Sequence, residues 1–195
     1  MNGKLKISDL YSLEQYAKRR PEMRAQVLQH KQLRTVLIGP NMTWLFEDRL
    51  TMQYQVQEML RVERIFEETG ILEELAAYNP MIPDGSNWKV TCLIEFTDVD
   101  ERRAALARMK GVEDHCWVQV GSNARVYAIA DEDMERSNDD KTSAVHFMRF
   151  ELNPVMVEDV KANASISMGV DHPAYTHQVS PVSNAARAAL DMDLV

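Results

Sequence analysis

The chain has 195 residues, enough for one well-packed domain, and its 45 % apolar and 27 % charged residues are ordinary for a water-soluble globular protein. A net charge of −8 argues against nucleic acid as a partner, since such binders concentrate positive charge on one face. No stretch approaches the roughly 18 consecutive apolar residues of a membrane span, and the first residues lack the apolar core of a signal peptide, which points to the cytoplasm.

Residues 1–34 read as a helical segment in two pieces. Ser12 is placed to cap a helix over Leu13–Arg20, and Pro21 to open a second over Pro21–Leu33. Arg34–Ile38 and Met42–Phe46 form a hairpin through Gly39-Pro40-Asn41. The stretch from Arg49 to Gly70 reads as one long central helix closed by Gly70. Met52, Val56, Met59, Leu60, Val62 and Phe66 recur at the helical period of about 3.6 residues and define its buried stripe. A short helix, Ile71–Tyr78, follows it. Asn79–Asn87 is a docked loop rather than a linker, so the reading keeps a single domain over residues 1–195.

Trp88–Phe96 alternates as a strand with Trp88, Val90, Cys92, Ile94 and Phe96 on one face. Asp98 caps a helix over Val99–Lys110, closed by Gly111. His115–Val120 and Ala124–Ala130 pair as a second hairpin, and Ala144–Leu152 is a further strand. Asn153-Pro154 starts a helix, and Ser165–Val170 is the last strand. Residues 178–195 form a tail with a short helix near Asn184–Met192. The sum is an α+β domain: a largely antiparallel sheet of about seven strands packed against the central helix and smaller helices. Twelve Met residues serve either as core filler or as an adaptable contact surface, and filler is the simpler account.

Four residues carry the metal reading. Glu63 projects from the apolar stripe of the central helix, where a carboxylate must be neutralised, paired or bound to a metal. An ion pair with Arg149, or with Arg61 or Arg64 of the helix itself, is the plain alternative. His172 and His177, with Asp171, fall within seven residues on a loop after the last strand, a fitting donor set for iron, manganese or zinc. His146 lies among apolar neighbours on its strand, where a hydrogen-bonded core histidine is the plain reading. Were it to meet His172 or His177 with Glu63 approaching, a two-His-one-carboxylate site would form. Adjacent His115 and Cys116 point to opposite faces of a strand and make poor catalytic partners. The acidic run Asp131-Glu132-Asp133, with Glu135 and Asp139-Asp140, reads as a solvated turn without calcium-loop spacing. Cys92 and Cys116 lack metal-type spacing and are expected to be reduced thiols. No phosphate-cradling glycine motif occurs.

The strings LFEDRLTMQYQVQEMLRVERIFEE, YNPMIPDGSN, WVQVGSNARVYAIADED, KTSAVHFMRFEL and GVDHPAYTH together resemble a family of bacterial proteins known as a domain of unknown function. The resemblance runs from about Leu10 to His177 and leaves Gln178–Val195 outside it. It implies a gene neighbourhood with a rubrerythrin and an iron–sulfur protein similar to heterodisulfide-reductase subunits, hence a role in peroxide or redox defence. It supplies no catalytic residue. Three expectations follow: a non-catalytic accessory or partner protein of that redox system, open to forming a homo-oligomer; a mononuclear non-haem iron or manganese binding protein or oxidoreductase using His172, His177, His146 and Glu63; or a small-molecule sensor with a pocket between sheet and central helix.

Overall fold

The computed structural model describes residues 3–132, 134, 136 and 140–195. Among these residues the fold is α+β, with nine strands paired antiparallel in two sheets. The first sheet runs β1 (Thr35–Leu37), β2 (Met42–Glu47), β3 (Asn87–Ile94), β7 (Val145–Glu151) and β6 (Ile129–Ala130). The second runs β5 (Val126–Tyr127), β4 (Cys116–Val120), β8 (Ile166–His172) and β9 (Tyr175–Val179).

Strand alternation decides what each face of the first sheet meets. One face sends Trp44, Phe46, Trp88, Val90, Met148 and Phe150 into a core shared with Val118, Ile166, Met168 and Val170 of the second sheet. Full burial of each such side chain contributes roughly 1.5–3 kcal/mol, so this layer dominates stability. Helices α4 (Val99–Arg108), α5 (Pro154–Lys161) and α6 (Asn184–Asp191) add Leu106, Val160 and Leu190 to it. The other face presents Leu45, Glu47, Lys89, Thr91, Leu93, Val145, Phe147 and Arg149, residues paired across β2, β3 and β7. Over it lies a helical layer of α1 (Leu13–Leu33), α2 (Arg49–Glu63) and α3 (Glu68–Tyr78). That layer has its own apolar cluster of Met52, Val56, Leu60, Leu75 and Ile82.

Several sequence expectations are corrected. The two N-terminal helices are one, with Pro21 inside α1. Pro21 lies on the exposed side, so the Ala17 carbonyl that loses its donor faces water instead of the core. The long central helix is two. Arg64 adopts a left-handed conformation, φ 57°, and ends α2 there. Ile65 folds back, its N–H donating to the Leu60 carbonyl at 2.9 Å, and α3 begins three residues later. Gly70 is no stop. It sits in α3 where a Cβ would come 2.7 Å from Ile65 Cγ2, so its role is close approach. The residues between Ala124 and Ala130 are not one strand, because β5 pairs with β4 while β6 pairs with β7 in the other sheet. Asp133, Glu135 and Asp139 of the acidic run lie outside the described residues.

The tail is also built in. Arg34, whose side chain is fully buried, donates to the carbonyls of Phe46 at 2.8 Å and Ala189 at 2.9 Å, and to the Asp193 carboxylate. Trp88 Nε1 donates to the Leu190 carbonyl at 3.0 Å, and Val195 N–H to Gly85 at 2.9 Å. No helix among the described residues is long and apolar enough to cross a membrane.

Candidate functional site

The proposed metal ligands do not come together. Glu63 is exposed in the last turn of α2, and Val62 and Phe66 beside it are 63 % and 71 % exposed. The stripe that would have buried Glu63 stops at Leu60, because the chain turns at Arg64. Arg149 does not pair with Glu63 either. It forks onto Glu132 at 2.8 and 2.9 Å and reaches Glu151 at 2.6 Å.

The loop expected to carry His172 and His177 is a tight hairpin. His172 closes β8 opposite Tyr175 of β9, and Pro173-Ala174 makes the turn. Both nitrogens of His172 are engaged: Nε2 donates to the Lys110 carbonyl at 3.0 Å, and Nδ1 accepts from Ala174 N–H at 3.1 Å. His177 is exposed and stacks on Tyr175 at 4.6 Å between ring centres. Gly39, φ +73°, makes room for that ring, since a Cβ would fall 2.5 Å from His177 Cγ. The Tyr175 hydroxyl donates to the Ile38 carbonyl at 2.6 Å. The pair therefore staples the hairpin to the β1–β2 turn.

His146 is wholly buried on the inter-sheet face. Its Nδ1 lies 2.6 Å from Asp131 Oδ2, while its Nε2 lies 2.9 Å from Thr142 Oγ1, 3.1 Å from the Ser143 carbonyl and 3.8 Å from Glu113 Oε2. Among the described residues, Glu113, Asp131 and His146 are the group whose ligand atoms lie within 4.8 Å of one another. Asp131 holds this position with φ 51°, also accepting from Phe147 N–H at 3.1 Å and pairing with Arg136 at 3.2 Å. The Ser143 carbonyl can only accept, so in the tautomer that donates to it Nε2 has no lone pair for a metal. The cluster is a buried hydrogen-bonded network that Arg136 joins through Asp131.

A different feature has the character of a binding site. Between the outer face of the first sheet and α2–α3 lies a cavity of about 540 Å³. Its floor is strand rows: Leu93 with Val145, then Leu45, Thr91 and Phe147, then Glu47, Lys89 and Arg149. Met52 and Gln55 of α2 and Tyr78 of α3, with Met81, form its roof, and Lys31 reaches its rim. One end is apolar and the other charged. Glu47 is only 4 % exposed; its Oε1 accepts from Thr91 Oγ1 at 2.6 Å, and its Oε2 has no hydrogen-bond partner. Leaving a buried carboxylate oxygen unpaired is costly. Beside it Lys89, paired with Glu47 in the strand register, has its ammonium pKa pushed down by burial first and by the Arg149 cation second. Arg149 meanwhile pulls Glu132 below the usual carboxylate range. Glu151 is also lowered, its bonds to Ser86, Arg149 and Asn87 outweighing burial.

Sequence reasoning located the cavity in outline but not Glu47 or Lys89. Glu47 ends an apolar strand and reads as a helix-start acid, and Lys89 reads as the solvent side of an alternating strand. The signal present was that both strands carry apolar residues on the supposed solvent side, Leu45 and Leu93, which implies a covered face.

A family model described as "Protein of unknown function (DUF3501)" matches residues 4–194. A crystal structure of a novel protein of unknown function from Burkholderia pseudomallei K96243, at 1.90 Å resolution, is similar to this chain with a TM-score of 0.94. The two are 49 % identical, over 99 % of this chain and 100 % of that one. No curated protein matches.

Proposed function

We propose that this chain, which belongs to the family of unknown function DUF3501, binds a small organic molecule of mixed polarity in the groove between the first sheet and α2–α3. The observation that carries this reading is the Glu47 oxygen, buried and unpaired in a cavity of about 540 Å³. That volume lies within the roughly 300–1,000 Å³ usual for small-ligand sites, and an apolar lining with a few convergent polar groups is their usual make-up. The ligand's apolar body lies on Leu93, Val145 and Phe147, and its polar end meets Glu47 and Lys89.

The setting is an accessory role in a cytoplasmic redox or peroxide-defence system, with a rubrerythrin or an iron–sulfur protein as the partner that reads ligand occupancy. The resemblance in sequence supports that setting; the groove supports the binding. Titration with a set of small amphiphiles, followed by amide chemical shifts, tests it. Perturbations clustered at Leu45, Lys89, Leu93 and Phe147, and abolished by Ala77→Trp at the exposed mouth of the groove, are expected. Shifts scattered elsewhere, or unchanged by Ala77→Trp, sink the reading.

A further inference from the structure

Arg149 takes the carboxylates that Lys89 would otherwise pair with. Glu132 and Glu151 both bond to the guanidinium, at 2.6–2.9 Å. Lys89 is left with no ion pair among the described residues, on the floor of a cavity that is otherwise mostly apolar. Directly opposite it in the register is Glu47, with one oxygen unpartnered. Side chains so paired stand with Cβ atoms about 5 Å apart on one face of the sheet. We propose that Lys89 is a nucleophilic amine that joins an aldehyde or ketone ligand in this groove as a Schiff base, with Glu47 carrying the protons; the inference rests on the groove being a ligand site.

The step balances without a redox partner. Glu47 first takes a proton from the Lys89 ammonium, and the freed Nζ lone pair adds to the carbonyl carbon as the C=O π pair moves to oxygen. A proton passes from nitrogen to that oxygen, giving a carbinolamine. Loss of its hydroxyl as water, with a proton supplied by Glu47, leaves C=N, and the nitrogen's remaining proton returns to Glu47. Burial first and the Arg149 cation second both push the Lys89 ammonium pKa down, in the direction that favours the free amine this addition uses. The charged groups facing it are Arg149 and Glu151 from β7, Glu132 beyond β6, Asp84 from the loop before β3, and Glu47 from β2. Among the charges, Arg149 acts on Lys89 more strongly than any single acid, and Glu132 and Glu151 are both already bonded to it.

Cinnamaldehyde with sodium cyanoborohydride near neutral pH, followed by peptide mass mapping, is the test. The expected result is reductive labelling of Lys89 at least about tenfold faster than of any other lysine, with Glu47→Gln slowing it by about fivefold or more. Labelling of Lys89 no faster than of the surface lysines overturns the proposal. Cinnamyl alcohol, which has the same body and no carbonyl, is titrated in parallel. Binding of the alcohol without selective labelling removes the Schiff base and leaves the groove. Failure of both removes the groove as well. Lys89→Arg, which keeps the charge and the fold, must lose the selective label while still binding the alcohol.

Discussion

Glu47 and Lys89 stand opposite one another on adjacent strands and line the same cavity, yet no ion pair joins them. Opposite charges left apart at the floor of a groove are an arrangement that costs stability, and sites that do so usually serve a ligand. Replacing both Glu47 and its hydroxyl partner by Glu47→Met/Thr91→Val should therefore stabilise the free protein by about 1 kcal/mol, since an unpaired buried oxygen costs about 1–3 kcal/mol. Urea denaturation measures it. A loss of more than about 2 kcal/mol would make Glu47 a structural residue.

Glu58 gives the chain a defined acid sensitivity. Its carboxylate accepts from Arg20 at 2.7 and 3.0 Å, from Arg61 at 3.0 Å, and from the fully buried Tyr16 hydroxyl at 2.6 Å. The Arg20 bond above all holds it down to about 2, against an ordinary 4.5. A depressed carboxylate contributes stability that is present above the unfolded value and lost as pH falls through the folded one. The α1–α2 contact should weaken between about pH 4.5 and 2, by roughly 1–2 kcal/mol after allowing for solvent around the arginines. Melting temperatures across that range should fall less steeply in Glu58→Gln than in the parent. Parallel curves would exclude the assignment.

Arg34 and Asp193 tie the start of the first sheet to the end of the chain. Removing one partner of a buried pair leaves the other charged and bare, at a cost of about 3–5 kcal/mol, whereas replacing both by apolar groups is often neutral. Asp193→Ala leaves Arg34 its carbonyl acceptors and Asp48 at 3.6 Å, so it should cost about 3 kcal/mol, the low end of that range, and Arg34→Met/Asp193→Leu should be more stable than either single substitution. A double-mutant cycle with no coupling between the two positions would mean that the tail is held by its apolar residues and by the Trp88 and Gly85 hydrogen bonds instead.

These couplings explain what was readable in the sequence and what was not. The alternation of Trp88 to Ile94 fixes the core face of β3, and the Asp98 cap is real, its Oδ1 accepting from the N–H groups of Asp100 and Glu101 at 2.9 and 2.8 Å. Local chemistry of that kind is written in neighbouring residues. Glu63 failed because a hydrophobic period continues unbroken through Arg64 while the backbone does not; one residue at positive φ turns the face without changing the pattern. The β8–β9 hairpin was missed because Pro173-Ala174 lacks the Asn-Gly or Asp-Gly signal of a two-residue hairpin. Lys89 could not be singled out because its character comes from Arg149, 60 positions away, taking up the nearby acids.

The last prediction concerns His146, whose surroundings invite a metal and whose hydrogen bonds argue for a proton. With Nε2 donating to the Ser143 carbonyl and Nδ1 against Asp131 Oδ2, binding an ion here requires a ring nitrogen to give up its hydrogen, while Asp131 Oδ1 can keep Arg136 and the Phe147 N–H. The network is closed as it stands, so its removal should read out as stability. His146→Gln removes the ring that bonds Asp131 at 2.6 Å and Thr142 at 2.9 Å at a fully buried position, and should cost about 3–5 kcal/mol. At this chain length that corresponds to a fall in melting temperature of roughly 10 °C. Dialysis of untagged protein against a chelator should leave the parent's melting temperature unchanged. Stoichiometric iron or manganese in the untagged protein, lost in His146→Gln and accompanied by a chelator-induced fall in melting temperature, would replace the proton with an ion at the junction of the two sheets.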